Sequence, residues 1–174
     1  MKTLRIFNTV IHVSLKMKDL LLQYAAYNLW ANTRMVERLQ RERDGLMDHH
    51  VKSSFPSLGL TLAHIRDASR TWHERIFGVQ GMHLGTGIDA LLEVSVKLND
   101  QVKLADEAML MQSVSYANSR GEQFTHPRWQ LLMQCFNHAS HHRGQLITIM
   151  RQLDLTEIPN TDLVTYQRLL MARR

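Results

Sequence analysis

PRWQLLMQCFNHASHHRGQLITIMRQL, residues 127–153, is the stretch on which the fold turns. It opens on a proline, whose fixed φ suits the first turn of a helix, and its only glycine is Gly144. At about 100° per residue, Leu132, Cys135, Phe136, Ala139, Leu146, Met150 and Leu153 share one face. That stripe predicts a long helix from Pro127 to about Leu153, buried along one side. With the centre of the stripe as zero, His142 lies about 60° off it and His138 about 100° off on the same flank, while His141 lies about 160° away. The His141-His142 pair therefore divides, His142 inward and His141 to solvent. His138 and His142 are one turn apart and project from one face, as a shared metal ion requires. Two imidazoles at a core edge without partners would leave polar nitrogens unsatisfied, which favours a common ligand.

Working outward, three further long helices precede this one. The first runs from Asp19, a capping residue, to about Arg43, with Leu20, Tyr24, Tyr27, Ala31 and Met35 at helical spacing, and Asp44-Gly45 ends it. The second begins near Ser57 and runs to about Phe77, where Gly78 and Gly81 stop it. The third runs from Asp89 to about Met111. Residues 113–126 carry Asn118 and Gly121 and little helical patterning, so a short extended segment or hairpin is expected there. Thr161-Asp162 opens a short terminal helix that ends near Arg174. These elements predict an all-α fold, an up-down four-helix bundle with a fifth short helix as a lid.

Composition agrees with a single domain: 174 residues, 44% hydrophobic and 21% charged, with only 8 Gly and 3 Pro. The single cysteine, Cys135, permits no internal disulfide and fits a reducing, cytoplasmic setting. It lies on the core face, where packing is its expected role. The net charge of +5 is spread without a dense basic block, so no specific nucleic-acid partner is expected. No apolar run reaches the roughly 18 residues a membrane span needs. Residues 1–16 are basic and mildly apolar, lack a long apolar core and a small-residue cleavage site, and read as an N-terminal appendage to a domain over 17–174.

Ten histidines are the informative excess. A third ligand can come from the second helix, whose apolar face is Leu58, Leu62, Ile65, Ala68, Trp72 and Ile76. His64 flanks that face by about 100°, and His73 lies about 180° around the helix from His64. The two cannot serve one site, and angle alone does not choose between them. His73-Glu74 begins a zincin-like HERIF, yet no second histidine follows at the required spacing, so His73 is read as a surface or bundle-edge residue. A carboxylate di-iron bundle is excluded by the lack of Glu-x-x-His, and a multi-thiolate zinc site by the single cysteine. What remains is a three-histidine site with a free coordination position.

Several motifs together resemble the DinB/YfiT-like superfamily. NHASHHRGQL at 137–146 resembles its Asn-His-x-x-x-His-Arg-Gly-Gln signature, LAHIRDASRTW at 62–72 its histidine-bearing helix, and YNLWANTRM at 27–35 its first-helix motif. YANSRGEQFTHPRW is similar to the connector before its last long helix, and PNTDLVTYQR to its tail. The resemblance runs from about residue 17 to 170. It implies a divalent metal, usually zinc or nickel, held by His64, His138 and His142, and often a homodimer. It also implies a small-molecule substrate. The characterised members include transferases and isomerases using a low-molecular-weight thiol, while others are described as DNA-damage-inducible proteins or metal-dependent hydrolases.

Supporting groups follow from spacing. Gln145, three residues beyond His142, is placed to hydrogen-bond a ligand or a water at the metal, and Asp67, at i+3 from His64, to orient that ring. Arg143 falls on the inward face and calls for a carboxylate or carbonyl partner. Asn28, Asn32 and Trp72 are read as helix contacts rather than as pocket walls.

Overall fold

The computed structural model describes residues 16–43 and 45–172, so the appendage expected over 1–16 lies, apart from Lys16, outside the described residues, as does Asp44. The chain is mostly helical, with one small sheet. Helix α1 spans Met17–Leu39, a 3-10 turn Leu46–Asp48, α2 Leu58–Phe77, α3 Ala90–Leu104, and α4 Glu107–Met111. Strands β1 (Ser113–Ala117) and β2 (Gln123–Pro127) follow, then α5 (Arg128–Gln152) and α6 (Leu163–Ala172). Helix α1 packs on α3 and α5, and α2 packs on the same two, closing a ring of four long helices. Leu21, Met35, Ile65, Leu98, Phe136 and Leu146 are among the residues buried inside it.

The ends of α2 are made by local chemistry. Ser57 accepts the Leu60 N–H at 3.1 Å, and Gly78 closes the helix at φ 70°, a left-handed conformation that a Cβ would strain. The start of α1 differs from the expected Asp19 cap. The helix begins two residues earlier, and Glu107 of α4 accepts the N–H groups of Met17 and Lys18 at 3.0 and 3.2 Å. A tertiary carboxylate thus replaces the local cap, near the helix's positive end. The helix ends at Leu39 rather than near Arg43. Leu20, expected on the buried face, is 46% exposed, and Leu21 is buried in its place.

The single third helix expected over 89–111 is two. Ala105 turns extended, and Asp106 caps a new short helix by accepting the Met109 N–H at 2.7 Å. The connector is an antiparallel hairpin with Ser113 opposite Pro127 and Ala117 opposite Gln123. Its turn is organised by Asn118, whose side-chain oxygen accepts from Arg120 and Glu122. Tyr116 of β1 meets Trp72 of α2 edge-on, and the Arg75 guanidinium sits over both rings.

The short terminal helix expected as a lid on the bundle, α6, packs along α1. The Tyr27 hydroxyl donates to the Thr161 carbonyl at 2.8 Å, and Tyr166 meets Tyr27 and Trp30. No described helix is long and apolar enough to cross a membrane.

Candidate metal centre

His64 reaches inward from α2, while His138 and His142 stand one turn apart on α5, the helix packed against it. Their Nε2 atoms converge: His64 to His138 is 3.2 Å, His64 to His142 is 3.1 Å, and His138 to His142 is 3.1 Å. Among the described residues this is the one group of three or more His, Cys, Asp or Glu side chains close enough to share an ion. His142 is buried, and the other two are half-buried.

The tautomer of His142 is set by Gln145, whose Oε1 lies 2.7 Å from Nδ1. An amide oxygen only accepts, so Nδ1 carries the proton and Nε2 keeps its lone pair. With neutral rings, at most two protons are then left for three Nε2 contacts. The contacts cannot all be hydrogen bonds; a cation at the centre would satisfy every lone pair.

Protonation works in the same direction. Burial, and then His142, His64 and His141 nearby, push the His138 pKa down to about 4. Burial and the neighbouring His142 also lower that of His64, against an opposing pull from Asp67. Neutral imidazole is the form that binds metal. One wall is Phe55, whose ring stacks on His64 at 4.2 Å and meets His142 edge-on at 5.5 Å. Phe55 lies in the loop before α2, where helical periodicity says nothing, and the sequence reading did not include it.

Of the two supporting candidates, Gln145 contacts the cluster and Asp67 does not. Asp67 is forked by the adjacent Arg66, at 2.9 Å to Nε and 3.0 Å to Nη2, which holds its carboxyl below the usual range. It acts on His64 through its charge alone. His141 is exposed, as its angle predicted, and His49, His50 and His83 are exposed outside the cluster.

Arg143 points the other way from His142. Its Nη1 donates to Asn28 Oδ1 at 2.9 Å and to Asn32 Oδ1 at 2.8 Å, and its Nη2 to Ser140 Oγ at 2.7 Å. Its guanidinium lies over the Tyr27 ring. Asn32 in turn donates to Ser95, which donates to the Leu91 carbonyl, so one polar chain ties α5 to α1 and α3. The expected carbonyl partner of Arg143 is thus a pair of amide oxygens, and Asn28 and Asn32 are helix contacts. Cys135 is buried in the core; burial pushes its thiol up to about 12, which leaves it no nucleophilic character at neutral pH.

Of the surface or bundle-edge position expected for His73, the surface is ruled out: the residue is only 2% exposed. Helix α2 packs on both α3 and α5, and Ser69 and His73 are buried while Ala68 and Trp72 stay half-buried. The buried arc is wider than the apolar stripe, and polar residues occupy its far edge.

The model of the DinB family matches residues 17–171. The chain belongs to the DinB family. It is also similar to "Protein DinB" of Bacillus subtilis (strain 168), 22% identical over 157 residues, a match that covers 82% of this chain and 91% of that protein. In this DinB-family chain, His64, His138 and His142, the positions carried over from the resemblance, are the three that the helices bring together.

Proposed function

We propose that this DinB-family protein is a metal-dependent enzyme on an up-down four-helix bundle, with His64, His138 and His142 holding one divalent ion, zinc or nickel, through Nε2. The observation that carries the reading is the triangle of Nε2 atoms, 3.1–3.2 Å on each side. Ligand nitrogens at 2.0–2.1 Å around a tetrahedral ion stand about 3.3 Å apart, so the triangle already has the required size. The ring of four long helices supports the bundle.

When bound, such an ion would supply a Lewis acid with a free coordination position, able to acidify a water or a low-molecular-weight thiol. The chain's own residues do the rest. Gln145 fixes the His142 tautomer, and burial keeps His64 and His138 deprotonated. Phe55 forms an apolar wall that excludes water from one side. No protein thiol is on offer, since Cys135 is buried, so a thiol nucleophile would come from a small-molecule cosubstrate. The reaction is thiol S-transfer to an electrophile or, with water in place of the thiol, hydrolysis. A homodimer in the cytoplasm fits this reading; Leu20, Met133 and Leu163 line an apolar cleft that a second copy would cover.

The test is to load the protein with zinc or nickel and assay it with a panel of low-molecular-weight thiols and monochlorobimane, and with an ester panel. Turnover that disappears in His138→Ala together with bound metal supports the reading. Full metal occupancy in His138→Ala overturns the site. Metal binding without turnover on either panel turns the protein into the alternative, a non-catalytic, stress-inducible metal-binding module.

A further inference from the structure

The three histidines of the metal centre are not held alike. Gln145 fixes the His142 ring through Nδ1, whereas neither His64 nor His138 has an Nδ1 partner among the described residues. His138 shares α5 with His142, one turn away, while His64 stands alone on α2. Asp67, the acid one turn beyond His64, is taken by Arg66. A ligating imidazole that is free to turn must give up that freedom on binding, which weakens a site, and a hydrogen-bonding partner normally prevents it.

What meets the His64 ring is an aromatic face. The Phe55 ring lies 4.2 Å from it, centroid to centroid, and 24° from parallel. The same ring meets His142 edge-on at 5.5 Å and 68°. One side chain thus contacts a histidine from each of the two helices. Phe55 is itself fixed. It precedes Pro56, which confines its backbone to extended conformations. The Val51 N–H donates to the Pro56 carbonyl at 3.0 Å and closes the loop, and Val51 is buried. Two residues on, Ser57 caps α2, the helix that carries His64. Stack and histidine are therefore placed from the same helix end.

We propose that Phe55 is the positioning residue of His64, its ring taking the part that Gln145 takes for His142. The inference rests on His64, His138 and His142 holding the ion. Turning the imidazole about χ2 would drive its edge into the Phe55 ring, so the stack keeps His64 Nε2 aimed at the other two nitrogens. An alkyl side chain of similar size would exclude water as well, but it presents no flat face.

Phe55→Leu keeps the apolar wall and removes the flat face, whereas Phe55→Tyr keeps both. Zinc affinity, measured by competition with a chelator, should fall about three- to tenfold in Phe55→Leu and stay within about twofold of wild type in Phe55→Tyr. The d–d absorption bands of the cobalt(II)-loaded protein report ligand geometry; they should change in Phe55→Leu and match wild type in Phe55→Tyr. In the metal-free protein the His64 ring protons should lie upfield in the Phe55 ring current and lose that shift in Phe55→Leu. Affinity and bands unchanged in Phe55→Leu, or an equal loss in both variants, overturn the proposal. Should Phe55→Leu not fold, Phe55→Met makes the same comparison. Failure of the centre itself looks different: wild-type zinc affinity in His138→Ala removes the site, and this role of Phe55 with it, whatever the Phe55 variants show.

Discussion

On α5, His142 and Arg143 follow one another yet enter polar environments that close in opposite ways. Around Arg143 the chain supplies its own acceptors, two asparagine oxygens and a serine hydroxyl, and the charge rests on Tyr27. Around His142 the partners at Nε2 are two more imidazole nitrogens, and the three rings have fewer protons to share than contacts to fill. A buried polar group whose partners all come from the chain pins the fold. One whose partners compete for the same protons marks a place for something else.

Breaking the closed side has the largest expected effect. Arg143→Ala strips Asn28 and Asn32 of their donor and leaves three helices without their shared tie. A loss of about 3–5 kcal/mol is expected, read as a drop in the urea midpoint. A loss below about 1 kcal/mol would show that the network does not hold the helices together.

Breaking the open side should do the reverse. His138→Ala removes one of three crowded imidazoles, so the metal-free protein should keep or slightly raise its melting temperature. Metal tells the two apart. Zinc at 100 times its dissociation constant should stabilise the wild-type protein by about 2.7 kcal/mol and leave the variant unmoved. Equal zinc-induced shifts in both proteins would remove His138 from the site.

Between these extremes lies Gln145, a polar residue on the open side that makes a single well-formed bond. Gln145→Leu frees the His142 ring to turn and to change tautomer. Metal affinity should fall about 10–100-fold with the fold unchanged. Competition against a chelator measures it, and affinity within threefold of wild type would make Gln145 a bystander.

The two sides were not equally legible in the sequence. Helical angle alone separated His142 from His141, because α5 has a clear apolar stripe and those two residues fall on opposite flanks. Arg143 was placed inward by the same means, but its asparagine partners lie more than a hundred residues away, beyond the reach of helical angle. The choice of His64 over His73 rested on family resemblance. Both residues flank the stripe, and α2 buries a wider arc than its apolar residues mark out. Phe55 and the Glu107 cap on α1 were out of reach for another reason: a loop residue and a tertiary contact leave no periodic signal.

His73 gives the smallest effect and sharpens the contrast most finely, since it belongs to neither side: buried as deeply as Arg143, yet without a hydrogen-bond partner among the described residues. Burial and Lys97 lower its folded pKa below the ordinary value near 6.5. As pH falls through 6.5, the unfolded chain takes up a proton that the folded chain refuses, so stability is lost on acidification. The loss continues until the folded pKa is passed. His73→Phe removes this contribution. Its urea midpoint should therefore fall less steeply than that of the wild type between pH 7 and pH 5.5, by at most about 1.4 kcal/mol per pH unit. His64 and His138 titrate in the same direction, but they are present in both proteins and cancel in the difference. Measured in chelator, so that no metal adds its own pH dependence, parallel curves for the two proteins would mean that His73 is paired in solution. It would then belong with Arg143, on the closed side of the molecule.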